Sequence, residues 1–411
     1  MNKKNLIGAI AVLCIIAIGI VSIGSCSCQR GKEAHLLTLL QENSLKRKNS
    51  VNSIANFSVF IENSGSMDGY VRGNGFKIDL YDLLVKATTI SNLPVQKLDL
   101  NYINSRPIPY SSNIETFIRN LTPQEFAARG GNRGTSVISD NLKTIVNRLG
   151  KNDVSVFVSD CIFASSSINV QKTDLTQTFS QAQQRDSTFS VVVYRLMSPF
   201  NGRFYGSPAG TISYIGSRPY FVWMMGNRSI LSQIRKAIEY RNNSIQSYQV
   251  FNNTDVPYKV VNGARYRLCN KKPCRTTNKH ISEINQSNKE FIFNIDADFS
   301  YIPVSDNYLC NPANYDLSSL DYTLKITPIN NGSNYTHRLT LTNNGPVTPA
   351  TLQIRLKSQP AAQWEIYNSS TILLPNIPKT AGILQLIDGT DAAFHTSSTS
   401  PYYTTLTILV K

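Results

Sequence analysis

Between residues 51 and 245 two kinds of segment alternate, and that alternation narrows the folds open to the chain more than any other feature. "NFSVFIE" (56–62), "KLDLNYI" (97–103), "DVSVFVSD" (153–160), "TFSVVVYRL" (188–196) and "PYFVWMMG" (219–226) are short apolar or alternating runs that read as strands. Helix-like stretches separate them. "DLYDLLVKATTI" spans 79–90, and Val137, Ile138, Leu142, Ile145, Val146 and Leu149 form a stripe that stops at Gly150. A polar segment, "KTDLTQTFSQAQQ", precedes the strand at 188, and "NRSILSQIRKAIEY" follows the one at 219. Strands joined through helices pair in parallel and are covered on both faces. The expectation for 51–245 is an α/β unit, doubly wound around a mainly parallel sheet.

Past about residue 245 helical periodicity gives way to short alternating runs: "FIFNID" (291–296), "YTLKITPI" (322–329), "HRLTLT" (337–342), "TLQIRLK" (351–357), "WEIY" (364–367), "ILQLI" (383–387) and "YYTTLTILVK" (402–411). Turn-formers such as "NNGS" and "NNGP" punctuate them. Residues 246–411 are expected to form an all-β, sandwich-like domain, without the Cys and Trp spacing of an antibody domain.

At the N-terminus, Lys3 and Lys4 precede an apolar run from Leu6 to Gly24 and then "IGSC" at 23–26. A basic stretch followed by an apolar one is an export signal. An aliphatic residue and two small ones before Cys26 resemble a bacterial lipoprotein signal, in which that cysteine becomes acylated. The run is also near the ~20 residues that span a bilayer, so an uncleaved anchor is the alternative. On either reading residues 1–25 are a signal or anchor, 26–50 a tether, and the rest a membrane-anchored cell-envelope protein facing the periplasm or the exterior. Export permits disulfides. Cys269 and Cys274 can close a small loop, or either can pair with Cys310; Cys161 follows an apolar strand and reads as a buried thiol. No second close pair completes a zinc site.

The balance of 41 basic against 26 acidic residues, +15 overall, would suit nucleic acid. The basic residues are scattered, however, and the densest group, "KKPCR" at 271–275, lacks interleaved aromatics. No nucleic-acid partner is expected.

Candidate chemistry gathers where strands end. The run Phe57, Val59, Ile61 leads into Glu62-Asn63-Ser64-Gly65-Ser66-Met67, which cannot continue a strand. "GGNRGTS" sets Thr135 at the mouth of the 137–149 helix, and Asp160 ends "VSVFVSD". In an open α/β sheet, ligands collect at such carboxyl ends.

Together these residues resemble the metal-ion-dependent adhesion site of von Willebrand factor type A domains. That family carries Asp-x-Ser-x-Ser after the first strand, a Thr in a glycine-rich loop before a later helix, and an Asp ending the fourth strand. Here Glu62-x-Ser64-x-Ser66, Thr135 and Asp160 follow in that order. The resemblance implies that these five hold Mg²⁺, with Mn²⁺ or Ca²⁺ as alternatives, the serines binding directly and the carboxylates mostly through water. It also implies that an acidic side chain of a protein partner completes the coordination. Glu62 departs from the family's Asp, its extra methylene carrying the carboxylate about 1.5 Å further out. The competing reading is a vestigial loop whose hydroxyls cap turns and helix starts, with Ser136 the rival of Thr135 for the helix cap.

Other chemistries lack their residues. Neither Ser64 nor Ser66 sits in Gly-x-Ser-x-Gly. His35, His280, His337 and His395 are remote in the chain, and no glycine loop ends in Gly-Lys-Ser/Thr. The functional expectation is metal-dependent protein recognition. The alternatives are a metal-independent envelope scaffold or a metal-assisted hydrolase with Glu62 as base.

Overall fold

The computed structural model describes residues 53–411 apart from 135, 163–167, 207–209, 240–241, 243, 252–255, 270–278, 286–289, 301, 303, 330–332, 344, 358–360, 370–378 and 395–401. The apolar run Leu6–Gly24, the tether, Cys26, Thr135 and Cys274 lie outside the described residues. Among the described residues no helix is long and apolar enough to cross a membrane.

The protein is mixed α/β. Its seven-stranded sheet has the order β3-β2-β1-β4-β6-β5-β7. The strands are β1 (Phe57–Glu62), β2 (Leu98–Ile103), β3 (Pro107–Tyr110), β4 (Val154–Ser159), β5 (Phe189–Gly206), β6 (Gly210–Asn227) and β7 (Ile245–Phe251). Strand β1 is parallel to β2 on one side and to β4 on the other. Four strands, β1, β2, β4 and β5, run one way; β3, β6 and β7 oppose them.

Every residue of β1 and β4 is buried, because each strand feeds two cores. Successive side chains point to opposite faces. Phe57, Val59, Ile61, Val154, Val156 and Val158 enter one core, whereas Phe60 and Phe157 enter the other. The helices over the sheet are α1 (Asp68–Val71), α2 (Gly75–Thr88), α3 (Ile114–Arg119), α4 (Pro123–Ala128), α5 (Ile138–Val146), α6 (Ile168–Arg185) and α7 (Arg228–Glu239). Phe76, Leu80 and Leu84 of α2 and Ile230 and Ile234 of α7 roof the first core. Ile138, Leu142 and Ile145 of α5 and Leu175 and Phe179 of α6 roof the second.

The expectation of helix-linked parallel strands fails between 196 and 219. Strands β5 and β6 pair directly as an antiparallel hairpin, from Phe189↔Asn227 out to Gly206↔Gly210. The intervening sequence keeps aromatic and β-branched residues (Phe200, Phe204, Ile212, Tyr214, Ile215) and offers no helical stripe. Because β6 meets β4 only from Phe221 to Gly226, the outer half of the hairpin runs past the carboxyl end of β4.

The boundary near 245 also moves. Strand β7 beyond it belongs to the sheet, and "WEIY" and "ILQLI" are helical rather than strands. They lie in a 3-10 segment (Ala361–Tyr367) and, after the short α8 (Asp306–Leu309), in α9 (Ile383–Phe394). Trp364, Ile383, Leu386, Ile387 and Phe394 enter the second core of the α/β sheet. Five residues cannot distinguish a buried helix from a strand; the full stretch shows the three- and four-residue spacing.

The remaining strands form two larger sheets. One, β13-β14-β11-β8, contains β8 (Tyr258–Val260), β11 (Phe291–Ala297), β13 (Tyr322–Pro328) and β14 (His337–Asn343). The other, β12-β15-β18-β10-β9, contains β9 (Arg267–Leu268), β10 (His280–Ser282), β12 (Tyr315–Leu317), β15 (Ala350–Lys357) and β18 (Tyr402–Val410). The short β16 (Asn368–Ser369) and β17 (Thr380–Ala381) pair with each other. Phe293, Ile295, Leu339 and Leu341 share one core with Ile354, Leu356, Leu406 and Ile408. Not every pairing is antiparallel, since β10 lies parallel to β18. Cys161 and Cys310 are free thiols, so Cys310 is not the partner of the disulfide-bonded Cys269.

Helices α6 and α9 approach closely at Gly389, where a Cβ would stand 2.6 Å from the carbonyl oxygen of Lys172. Alanine at a helical glycine ordinarily gains about 0.5–1 kcal/mol. Here the overlap with backbone outweighs that gain, so Gly389→Ala is expected to destabilise the protein by about 1–3 kcal/mol. Chemical denaturation of the two proteins measures it, and a stabilised variant would contradict the packing described.

Candidate functional site

The parallel register of β1 and β4, with Ile61 beside Val158, brings their carboxyl ends side by side. Glu62 closes β1, Ser159 closes β4, and Asp160 follows. Glu62 is 2% exposed and Asp160 1%. The Ser159 hydroxyl donates to Glu62 Oε2 and accepts from the Cys161 N–H at 2.8 Å, while the Ile162 N–H donates to Asp160 Oδ1 at 3.2 Å. After β1 the chain turns through a 3-10 segment, Gly65–Met67; Ser64 precedes it in extended conformation without capping it through its side chain. Its hydroxyl instead lies 3.1 Å from that of Ser66.

The glycine-rich loop is drawn onto this turn. The Gly65 N–H donates to the Arg133 carbonyl at 3.0 Å, Arg133 Nε donates to the Asn63 carbonyl at 2.8 Å, and the Arg133 guanidinium pairs with Asp68. From β2's end, Asn104 Nδ2 donates to Asn63 Oδ1 and to the Gly130 carbonyl, each at 3.0 Å. Ser136 does not cap α5, whose cap position is Val137 and carries no side-chain bond. The Ser136 hydroxyl accepts from Asn141 Nδ2 at 3.0 Å and stabilises the Glu62 carboxylate. Of the five expected ligands, Glu62, Ser64, Ser66 and Asp160 thus come together; Thr135 is the one outside the described residues.

Sequence reasoning missed the hairpin's contribution. Arg218 on β6 is 1% exposed, and its Nη1 stands 3.9 Å from Asp160 Oδ2. The guanidinium carbon lies 4.7 Å from the ring centre of Phe204 and 5.0 Å from that of Phe200. Neither Asp160 Oδ2 nor Arg218 Nε and Nη1 has a hydrogen-bond partner. The Tyr205 hydroxyl lies 2.8 Å from where a Cβ on residue 65 would be, so the hairpin reaches over the turn at Gly65. Nothing in "GSRPYF" marks Arg218 in advance. Its placement follows from the hairpin outrunning β4.

The electrostatics follow from burial. Loss of water, with Asp160's charge second, raises the Glu62 carboxyl to about 7, while the Ser136, Ser159 and Ser64 hydroxyls pull it down. Burial likewise raises Asp160, opposed chiefly by Arg218 and then by hydrogen bonds from Ile162 and Ser66. Among the described residues no three His, Cys, Asp or Glu side chains converge, so a cation here would be held by hydroxyls and at most two carboxylates. The orphaned Asp160 oxygen and the nearby serine hydroxyls suit a hard divalent ion. The neighbouring guanidinium competes with it.

Comparison with protein-family models, with curated proteins and with solved structures gives no match. The resemblance to type A domains rests on the motif residues alone.

Glu62 offers a test without ligand. A carboxyl whose pKa is higher folded than unfolded holds an extra proton in the folded state, so stability falls as pH rises from the unfolded value of 4.5 through about 7. The full shift corresponds to roughly 3 kcal/mol. In metal-free buffer Glu62→Gln should gain about 1–3 kcal/mol relative to wild type between pH 5 and pH 8. Parallel stability curves would place the Glu62 carboxyl in a solvated setting instead.

Proposed function

We propose that this is an exported, membrane-tethered protein whose α/β unit, of von Willebrand type A kind, recognises a protein partner through a divalent-metal site at the ends of β1 and β4. The observation that carries the reading is the meeting of Glu62, Ser64, Ser66 and Asp160, with one Asp160 oxygen buried and unpartnered. Ser64, Ser66 and Asp160 would hold Mg²⁺, or Mn²⁺ or Ca²⁺, with Glu62 behind them and Thr135 as the fifth ligand of the family pattern. The bound ion supplies an electrophilic position that an acidic side chain of the partner fills. The chain's own contribution is orientation. Ser159 and Ser136 restrain Glu62, and Arg133 ties the glycine-rich loop to the turn. The strand order β3-β2-β1-β4, with Asp160 after the fourth strand, agrees with this reading. The C-terminal sheets would be a sandwich-like spacer or second contact surface, and the lipid on Cys26, or the apolar segment itself, would hold the whole at the cell envelope.

One observation favours a second reading. Arg218 already presents a cation to Asp160, so the cluster can balance its charge without metal and serve a scaffold.

Titration of Mg²⁺ or Mn²⁺ into the full chain separates the two. Metal recognition requires saturable binding, weakened at least tenfold (about 1.4 kcal/mol) by Ser64→Ala or Ser66→Ala and tightened by Arg218→Gln, which removes the competing charge. Absence of saturable binding in both wild type and Arg218→Gln leaves the scaffold reading.

A further inference from the structure

We propose that a cleft at the amino-terminal ends of β1, β2 and β4, remote from the carboxylate cluster, binds a neutral polyhydroxylated small molecule of the mono- or disaccharide class. The sheet face carrying the second core changes character along its length. At the carboxyl half it presents Phe60, Ile103 and Phe157. At the amino half, one row across three neighbouring strands reads Asp99, Ser58, Ser155, as the register Ser58↔Asp99 and Ser58↔Ser155 shows. Asn101 follows on β2. Strands otherwise buried on both faces give up apolar packing at four adjoining positions.

What replaces it is a cleft of about 560 Å³, within the ~300–1,000 Å³ of small-molecule sites. Ser58 is 9% exposed and Ser155 4%, and both line the cleft. Asn56 Oδ1, also at the wall, is buried and unpartnered. A buried polar group left unpaired costs about 1–3 kcal/mol, so Asn56 Oδ1, on a wall shared with Ser58 and Ser155, points to a ligand that satisfies it.

The lining selects the class. Asp99 is held as a carboxylate by Lys97 and Asn56, each donating at 2.8 Å, and Asp153 accepts from the Gly150 N–H at 2.7 Å. With Arg148 also in the lining and Lys97 paired to Asp99, two carboxylates are balanced by two cations. That balance disfavours phosphate or a metal ion. Carboxylates accept from adjacent hydroxyls, amides and serines serve both as donors and acceptors, and Phe60, Leu98 and Pro109 offer apolar surface to the ring's C–H face. A sugar matches all three. The inference does not depend on the metal site.

The test uses the full chain with glucose, N-acetylglucosamine and maltose as probes, and sulfate and glycine as charged controls. Saturation-transfer NMR and calorimetry are the readouts. At least one sugar should bind saturably, with Kd in the millimolar range or tighter. Asp99→Asn, which keeps the side-chain volume, and Ser155→Val should each weaken it tenfold or more, and Ser64→Ala at the far strand ends should leave it unchanged. The proposal fails if no sugar of the panel binds, if binding ignores both cleft variants, or if sulfate or glycine binds in a manner those variants abolish.

Discussion

Burial of β1 and β4 on both faces is the constraint from which the rest follows. A strand enclosed by two cores has no solvated side on which to place polar groups, so its chemistry is confined to where it ends. Because the two strands are parallel neighbours in register, Glu62 and Asp160 emerge at the same level and are forced together. Two carboxylates in that position repel each other, and burial penalises the charge of both. The surrounding hydroxyls of Ser64, Ser66, Ser136 and Ser159 are a consequence of that problem as much as a feature of the site. They supply hydrogen bonds where water is excluded.

Arg218 is the other half of the solution. Removing one partner of a buried ion pair typically costs about 3–5 kcal/mol because the survivor stays buried and uncompensated. At 3.9 Å, without hydrogen bonds, this pair gains less from contact than a fork-to-carboxylate bridge would. The guanidinium is held by aromatic rings instead, with Phe200 and Phe204 on the same hairpin that carries it. The hairpin's length thus decides the charge state of the cluster. Had β5 and β6 been joined by a helix, as parallel strands require, no residue would reach past the end of β4 from that side.

The same two-faced strands explain why the polar row Asp99, Ser58, Ser155 stands out. In a half-exposed sheet, serines at these positions would be ordinary solvated residues. In strands whose other positions are packed on both sides, they mark a place where packing was relinquished for hydrogen-bonding capacity. Arg148, just beyond the end of α5, helps to line the resulting cleft.

The amino-acid sequence by itself determined the α/β character of the first half, the strands that carry Glu62 and Asp160, and the identity of four residues that meet at their ends. Those properties are local: apolar runs, helical stripes and turn-forming residues act over a few neighbours. Much of the β content of the second half was equally legible in alternating runs such as "HRLTLT", whose buried and half-buried positions alternate without exception. Only the tertiary structure decided that β5 and β6 pair with each other out to Gly206↔Gly210, that Ile383–Phe394 is a helix returning to the α/β sheet, and that Arg218 and Ser136 belong to the cluster. Each of these depends on contacts between segments tens to hundreds of residues apart. Local periodicity carries no record of which distant surface will bury a given side chain.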